Sequence, residues 1–175
     1  MFRTADPAYS ATLLTRARQL YDFANENRGK YSDSIADAAE FYNSWSGFGD
    51  ELAWAAGWLL RATGEARYQT QVDKHYGEFG LDKRVGEFSW DNKVSGVQVL
   101  MAKITNQAKY RDQAGEFCRF IRQDAPKTPA GLVFLSQWGA LRHAGNVAFL
   151  CMQVRLENNA SHSIHGQLSE HLLSL

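Results

Sequence analysis

The sequence predicts an all-α protein built from repeated helical hairpins, and three observations carry that prediction. Apolar residues recur at helical spacing, as in Leu13, Leu14, Ala17, Leu20, Tyr21 and Ala24, while Val and Ile nowhere form period-two runs. A spaced Thr–Tyr pair recurs in Thr4-Ala-Asp-Pro-Ala-Tyr9, Thr63-Gly-Glu-Ala-Arg-Tyr68 and Thr105-Asn-Gln-Ala-Lys-Tyr110, each heading a helix. Apolar segments rich in small residues, Ala53–Leu60 and Val97–Ile104, each precede a charged amphipathic one. Two helices in a unit of about 40 residues mark a helical repeat array or a closed helical toroid. In a toroid the inner helices are apolar nearly all round because an outer ring covers them. The alternation fits that arrangement, with an open solenoid as the second choice.

The elements follow in order. A first helix is expected over 7–27, with Pro7 at its start and Thr4 or Asp6 as cap. Residues 28–47 read as loop, with a short helical turn near 34–40. Further helices are expected over 49–63, closed by Gly64, and 65–79, closed by Gly80. After a loop over 81–92 come helices over 94–105 and 107–123. A loop with Pro126, Pro129 and Gly131 leads to a last helix over 135–156. Residues 157–175 are polar and then weakly amphipathic.

Composition narrows the function. The 175 residues suit one domain, and 19 basic against 19 acidic residues leave no net charge. That argues against a non-specific nucleic-acid binder and a polybasic membrane module. No apolar run reaches the roughly 18–20 residues of a membrane span. Aromatic residues make up 13% of the chain, an excess that favours a flat, neutral ligand. Cys118 and Cys151 lie in apolar helical patterns and read as two small buried hydrophobes, their spacing giving no support to a disulfide or metal site. His75, His143, His162, His165 and His171 read as structural or solvated, and Asn159-Ala-Ser161 is a weak glycosylation signal.

One stretch organises the chain: Phe41-Tyr-Asn-Ser-Trp-Ser-Gly-Phe-Gly-Asp-Glu-Leu-Ala-Trp54, a loop feeding a buried helix. If the inner helices point one way, this loop gathers on one face with Phe88-Ser-Trp-Asp-Asn92 and Thr128–Arg142. That face would carry Trp45, Trp90 and Trp138 among polar groups, which is what a sugar ring needs. Asp50, Glu51 and Asp91 allow three roles. They could cap helices, bind a hard cation with the carbonyls of Ser46 and Gly47, or act as acid and base in glycoside hydrolysis. From the residues alone capping ranks first, a cation second and catalysis third.

These residues, with Tyr31-Ser-Asp-Ser34, Leu60-Arg-Ala-Thr-Gly64, Phe88-Ser-Trp-Asp-Asn-Lys93 and Gln137-Trp-Gly-Ala-Leu-Arg142, strongly resemble glycoside hydrolase family 9. These are inverting endo-β-1,4-glucanases, here of animal type. The resemblance covers residues 1–154 and implies an (α/α)6 barrel of which this is the middle portion, roughly half. It leaves 155–175 as a divergent tail. It implies that Phe41, Tyr42 and Trp45 line a glucan cleft, with Trp138 stacking and Arg142 hydrogen-bonding. It implies a structural Ca²⁺ site at Ser46, Gly47, Asp50, Glu51 and Asp91, which lifts the cation above capping, and it makes Trp90 a packing residue.

The family's Asp-Ala-Gly-Asp, His-His-Arg and Asn-Glu motifs are missing from this sequence, so no catalytic residue is placed in it. The partner implied is β-1,4-glucan. The expected setting is outside the cell, with the signal peptide missing because the N-terminus is internal to the family's domain. The expectation is a fragment or short isoform of a cellulase, inactive alone. The alternatives are a glucan-binding remnant or a helical-repeat interaction protein. A half barrel is expected to expose a large apolar surface.

Overall fold

The computed structural model describes residues 2–154. They are helical, with elements α1 (Pro7–Glu26), α2 (Tyr31–Ser34), α3 (Ala36–Phe41), α4 (Gly49–Thr63), α5 (Ala66–Glu78), α6 (Val94–Thr105) and α7 (Ala108–Gln123), and then α8 over 140–154. The expected helices agree with these bounds except at two places. The turn foreseen near 34–40 is the pair α2 and α3. The last helix starts at 140 rather than 135, because residues 127–139 first turn back through a Lys127–Val133 bridge and then a tight turn ending at Gly139. The tail expected over 155–175 lies outside the described residues.

Each long helix has a local cause. Asp6 caps α1 by accepting the Tyr9 amide at 2.9 Å, and Pro7 occupies the first turn. α4 carries Asp50 and Glu51 in its first turn and Arg61 in its last, each at the favourable end of the helix dipole. The recurrent threonine closes one helix and opens the next. Thr63 Oγ1 donates to the Leu59 carbonyl at 2.7 Å and accepts the Glu65 amide at 3.1 Å. Thr105 repeats this with the Met101 carbonyl at 2.7 Å and the Gln107 amide at 3.3 Å. Left-handed Gly64 and Asn106 sit between. The paired tyrosines, Tyr68 and Tyr110, are fully buried. The Thr4 copy differs: Asp6 does the capping, and Tyr9 is 48% exposed against the edge of Phe2.

The helices form hairpins. α4 packs on α5, α6 on α7, α4 against α6, and α1 against α4. Every residue from Val94 to Ala102 of α6 is buried, as an inner helix requires. α5 and α7 bury one stripe each, Tyr68, Val72, His75 and Tyr76 on the first and Tyr110, Ala114, Phe117 and Ile121 on the second. Full burial of each large apolar side chain is worth about 1.5–3 kcal/mol. α6 joins the two core clusters: Val97 and Met101 belong to the one with α4 and α5, Val99 to the one with α7 and α8. An apolar groove of about 1280 Å³ runs between α1 and α4, exposing Leu13, Leu20, Phe23 and Trp58.

The cysteines correct the sequence reading. Cys118 of α7 and Cys151 of α8 form a disulfide, their Cα atoms 5.4 Å apart. Both do pack at the edge of the second core cluster. The separation of 33 residues hid the pairing, since only the packing of α8 on α7 brings them together.

Candidate functional site

Two of the three loops expected on one face adjoin each other, and named hydrogen bonds hold them there. The Phe41–Phe48 loop reaches the Phe88–Lys93 loop through Asp91, whose Oδ1 accepts the Trp45 amide at 2.9 Å and whose Oδ2 accepts the Ser46 amide at 3.1 Å. The loop over 81–93 in turn meets α8, where Asn146 Nδ2 donates to the Phe88 carbonyl at 3.0 Å. Trp54 and Phe88 close over Gly96, where an added Cβ would sit 2.5 Å from Phe88 and 2.9 Å from Trp54. That close approach sets the loop down on the inner helix.

On this support stands an aromatic wall. Phe41, Tyr42 and Trp45 are 68%, 56% and 69% exposed. Half-buried Trp90 braces two of them: Tyr42 meets its edge at 5.3 Å between centroids, and Trp45 lies 5.7 Å away. Tyr31 Oη donates to the Tyr42 carbonyl and pins the wall from behind. Exposed rings held by a second ring layer keep apolar faces to the solvent with little freedom to collapse. Trp138 is more exposed still, in the turn before α8, and Arg142 is exposed one turn later. The residues that follow them in α8 reach the 87–93 loop: His143 faces Glu87, and Asn146 bonds the Phe88 carbonyl.

Beneath the wall lies a polar clasp. Asp50 is buried, and its Oδ2 accepts the Lys93 amide at 2.6 Å, so a residue of α4's first turn caps α6. Its Oδ1 lies 3.4 Å from Ser46 Oγ, which donates to the Asp91 carbonyl. Ser44 Oγ donates to the Gly47 carbonyl at 2.5 Å. Burial, and then the neighbouring Asp50, push the Glu51 carboxyl up to about 8. Glu51 Oε2 is buried with no hydrogen-bond partner among the described residues. A cavity of about 290 Å³ opens beside the clasp, bordered by Trp45, Ser46, Gly47, Asp50, Asn92 and Val94 among others. The Asp91 carboxylate faces the Trp45 and Ser46 amides, and no group of three acidic, His or Cys side chains converges among the described residues.

Sequence reasoning passed over several groups that shape the site. Lys93 Nζ donates to the Ser89 and Trp90 carbonyls and fixes their loop. His143, read as structural or solvated, is buried with Nδ1 3.5 Å from Glu87 Oε2 and Nε2 3.4 Å from Arg142 Nη2. Nothing in the local pattern around Glu87 marks it out, since it meets His143 only through the tertiary fold.

The family model for "Glycosyl hydrolase family 9" matches residues 1–171. Endoglucanase B of Cellulomonas fimi is 40% identical over 158 residues, a stretch covering 84% of this chain and 15% of that protein. Endoglucanase from the termite Nasutitermes takasagoensis superposes with a TM-score of 0.86 at 48% identity, covering 97% of this chain and 39% of its own. The cellulase Cel9M of C. cellulolyticum in complex with cellobiose superposes with a TM-score of 0.77 at 29% identity, covering 94% and 38%. The chain thus spans well under half the length of each of these relatives.

Proposed function

This chain belongs to glycosyl hydrolase family 9, and we propose that it forms the glucan-contacting, cation-clasped portion of an inverting endo-β-1,4-glucanase acting on cellulose-like glucans. Its helices take the inner and outer places of an (α/α)6 barrel, the fold of these endoglucanase relatives. One observation carries the reading: an exposed wall of Phe41, Tyr42 and Trp45, backed by Trp90 and anchored through Asp91. The C–H faces of a pyranose pack on such rings while its hydroxyls take polar partners such as Arg142. Trp138 supplies a second stacking surface on the same face. No residue here is assigned as acid or base, because the family motifs expected to carry those carboxylates are missing from this sequence. The relatives named endoglucanases and the cellobiose complex of Cel9M support the substrate class.

A hard cation, Ca²⁺, is proposed at the clasp. The donors are all oxygen, and an unpartnered buried carboxylate oxygen on Glu51 beside Asp50 is the group such an ion would satisfy. Asp50 and Glu51 would hold it by their carboxylates, with the carbonyls of Ser46 and Gly47 and with Asp91 completing the set. Its role would be structural, securing the aromatic wall to α4. The Cys118–Cys151 bond supports an oxidising, extracellular setting.

Calorimetric titration of the chain with cellotetraose tests the substrate. Trp45→Ala and Trp138→Ala should each weaken binding about 5- to 30-fold, the worth of roughly 1–2 kcal/mol from a lost aromatic face. No binding at millimolar sugar would overturn the glucan reading. The chain alone should not hydrolyse carboxymethyl-cellulose, and turnover would overturn the placement of the catalytic groups elsewhere. Millimolar Ca²⁺ should raise the melting temperature of the wild type and leave Asp50→Ala unmoved. An unmoved wild type would remove the cation from the proposal.

A further inference from the structure

The surroundings of Arg142 carry information that its exposure alone does not. Its guanidinium folds back over Gly139, which has a φ of +67°. The two are so close that an added Cβ there would lie 3.1 Å from Nη2 and 3.3 Å from Cζ and Nε. On its other side, Nη2 is 3.4 Å from Nε2 of the buried His143. A guanidinium can only donate, so Nε2 must present its lone pair, and the proton of the neutral ring then sits on Nδ1. Nδ1 is buried and makes no hydrogen bond among the described residues, and the Glu87 carboxylate stands at ion-pair range, Oε2 3.5 Å away, as the acceptor a small ring rotation would meet. The backbone on both sides is fixed. Ser95 Oγ donates to the Glu87 carbonyl at 2.8 Å, and Asn146 holds the next carbonyl from α8.

We propose that Glu87 and His143 are positioning residues for Arg142: Glu87 selects the Nδ1–H tautomer, and the bare Nε2 then holds the guanidinium at its place in the cleft. The logic is that of a ring nitrogen whose task is fixed by what the other nitrogen meets. The inference rests on the glucan reading for what Arg142 contacts. The chain from Glu87 through His143 to Arg142 stands on geometry alone.

Two conservative variants separate the ring's two nitrogens. His143→Gln keeps an acceptor near the Nε2 position, and His143→Asn keeps a donor near Nδ1 while removing the acceptor. With cellotetraose, Arg142→Met should weaken binding about 10-fold or more, as for a lost hydrogen bond to a charged group. His143→Asn should weaken it by a similar factor, and His143→Gln should stay within about 2-fold of the wild type. The double variant His143→Asn/Arg142→Met should bind no worse than Arg142→Met, because residues acting through one another are not additive. Losses that multiply, or an Asn variant that binds like the wild type, would overturn the proposal.

A second measurement needs no sugar. Imidazole ¹⁵N resonances of the labelled chain at about pH 8, where an ordinary histidine is neutral, should report Nδ1–H for His143, and Glu87→Ala should mix the two tautomers. An Nε2–H ring in the wild type sinks the proposal whether or not glucan binds. Loss of binding in the wild type with Nδ1–H intact would count against the glucan reading and leave the positioning chain standing.

Discussion

Replacing Cys118 and Cys151 together by alanine tests the largest covalent contribution to this fold. The bond closes a loop over a separation of 33 residues. Chain-entropy reasoning gives a loop of that size about 4 kcal/mol at 25 °C, before any strain or residual structure in the unfolded chain reduces it. For a domain of this size that corresponds to a fall of about 8–16 °C in melting temperature. The loop spans the end of α7, the Lys127–Val133 turn and most of α8, so the loss is also local. Hydrogen exchange should quicken over residues 140–154 before it quickens in α6.

Alanine also trims two half-buried sulfurs from the second core cluster. The comparison that isolates the loop term is therefore the wild type with and without reductant, followed by urea unfolding. Reduction should account for most of the variant's loss. Two free thiols detected by alkylation and mass spectrometry, without prior reduction, would refute the pairing. A verified bond whose reduction leaves the midpoint unmoved would refute the entropy argument instead.

Gly96→Ala should cost about 1–3 kcal/mol in urea unfolding, because its methyl would meet Phe88 and Trp54 well inside contact distance and overpack the α4–α6 seam; an unchanged midpoint would show that those rings yield freely. Asp91→Ala should leave global stability within about 1 kcal/mol, yet free the Trp45 and Ser46 amides and weaken sugar binding as much as Trp45→Ala does; urea unfolding reads the first and titration calorimetry the second. Burial, then nearby Arg28, hold the His75 imidazole below its ordinary pKa, with Tyr21 Oη 3.2 Å from Nε2. The folded pKa is lowered, so this stability is complete above the unfolded value of about 6.5 and is lost as pH falls through the folded value. Melting curves between pH 7 and pH 4 should therefore fall less steeply for His75→Phe than for the wild type, and parallel curves would exclude His75 as a source of acid sensitivity.

Helical periodicity made the hairpin order legible because α4 and α6 bury nearly whole surfaces while α5 and α7 bury stripes. The Thr–Tyr repeat was legible for a reason only coordinates supply: the hydroxyl bonds both ways across the turn. At the site, the wall of Phe41, Tyr42 and Trp45 was expected from the family resemblance, whereas the residues alone grouped Trp45, Trp90 and Trp138. Three features could not be read in advance. The disulfide, the Glu87–His143 contact and the capping of α6 by Asp50 each join residues 33 or more positions apart, and no local pattern encodes them. The start of α8 was misplaced because Leu135 and the residues after it look helical but are consumed by the turn at Gly139.

Asp50 stands where the first turns of α4 and α6 meet, and this has a consequence for the charge of the rim. Each helix start carries roughly half a positive charge, so two of them balance one carboxylate. Asp91 and Lys93, fixed into the same loops, balance each other. Burial, then Asp50, push the Glu51 carboxyl up to about 8, which takes negative charge off the rim at neutral pH. A divalent ion entering the clasp would compete with protons for the same carboxylates. Cation uptake should thus release protons, visible as a buffer-dependent heat of binding, and the ion's grip should tighten as the medium turns alkaline.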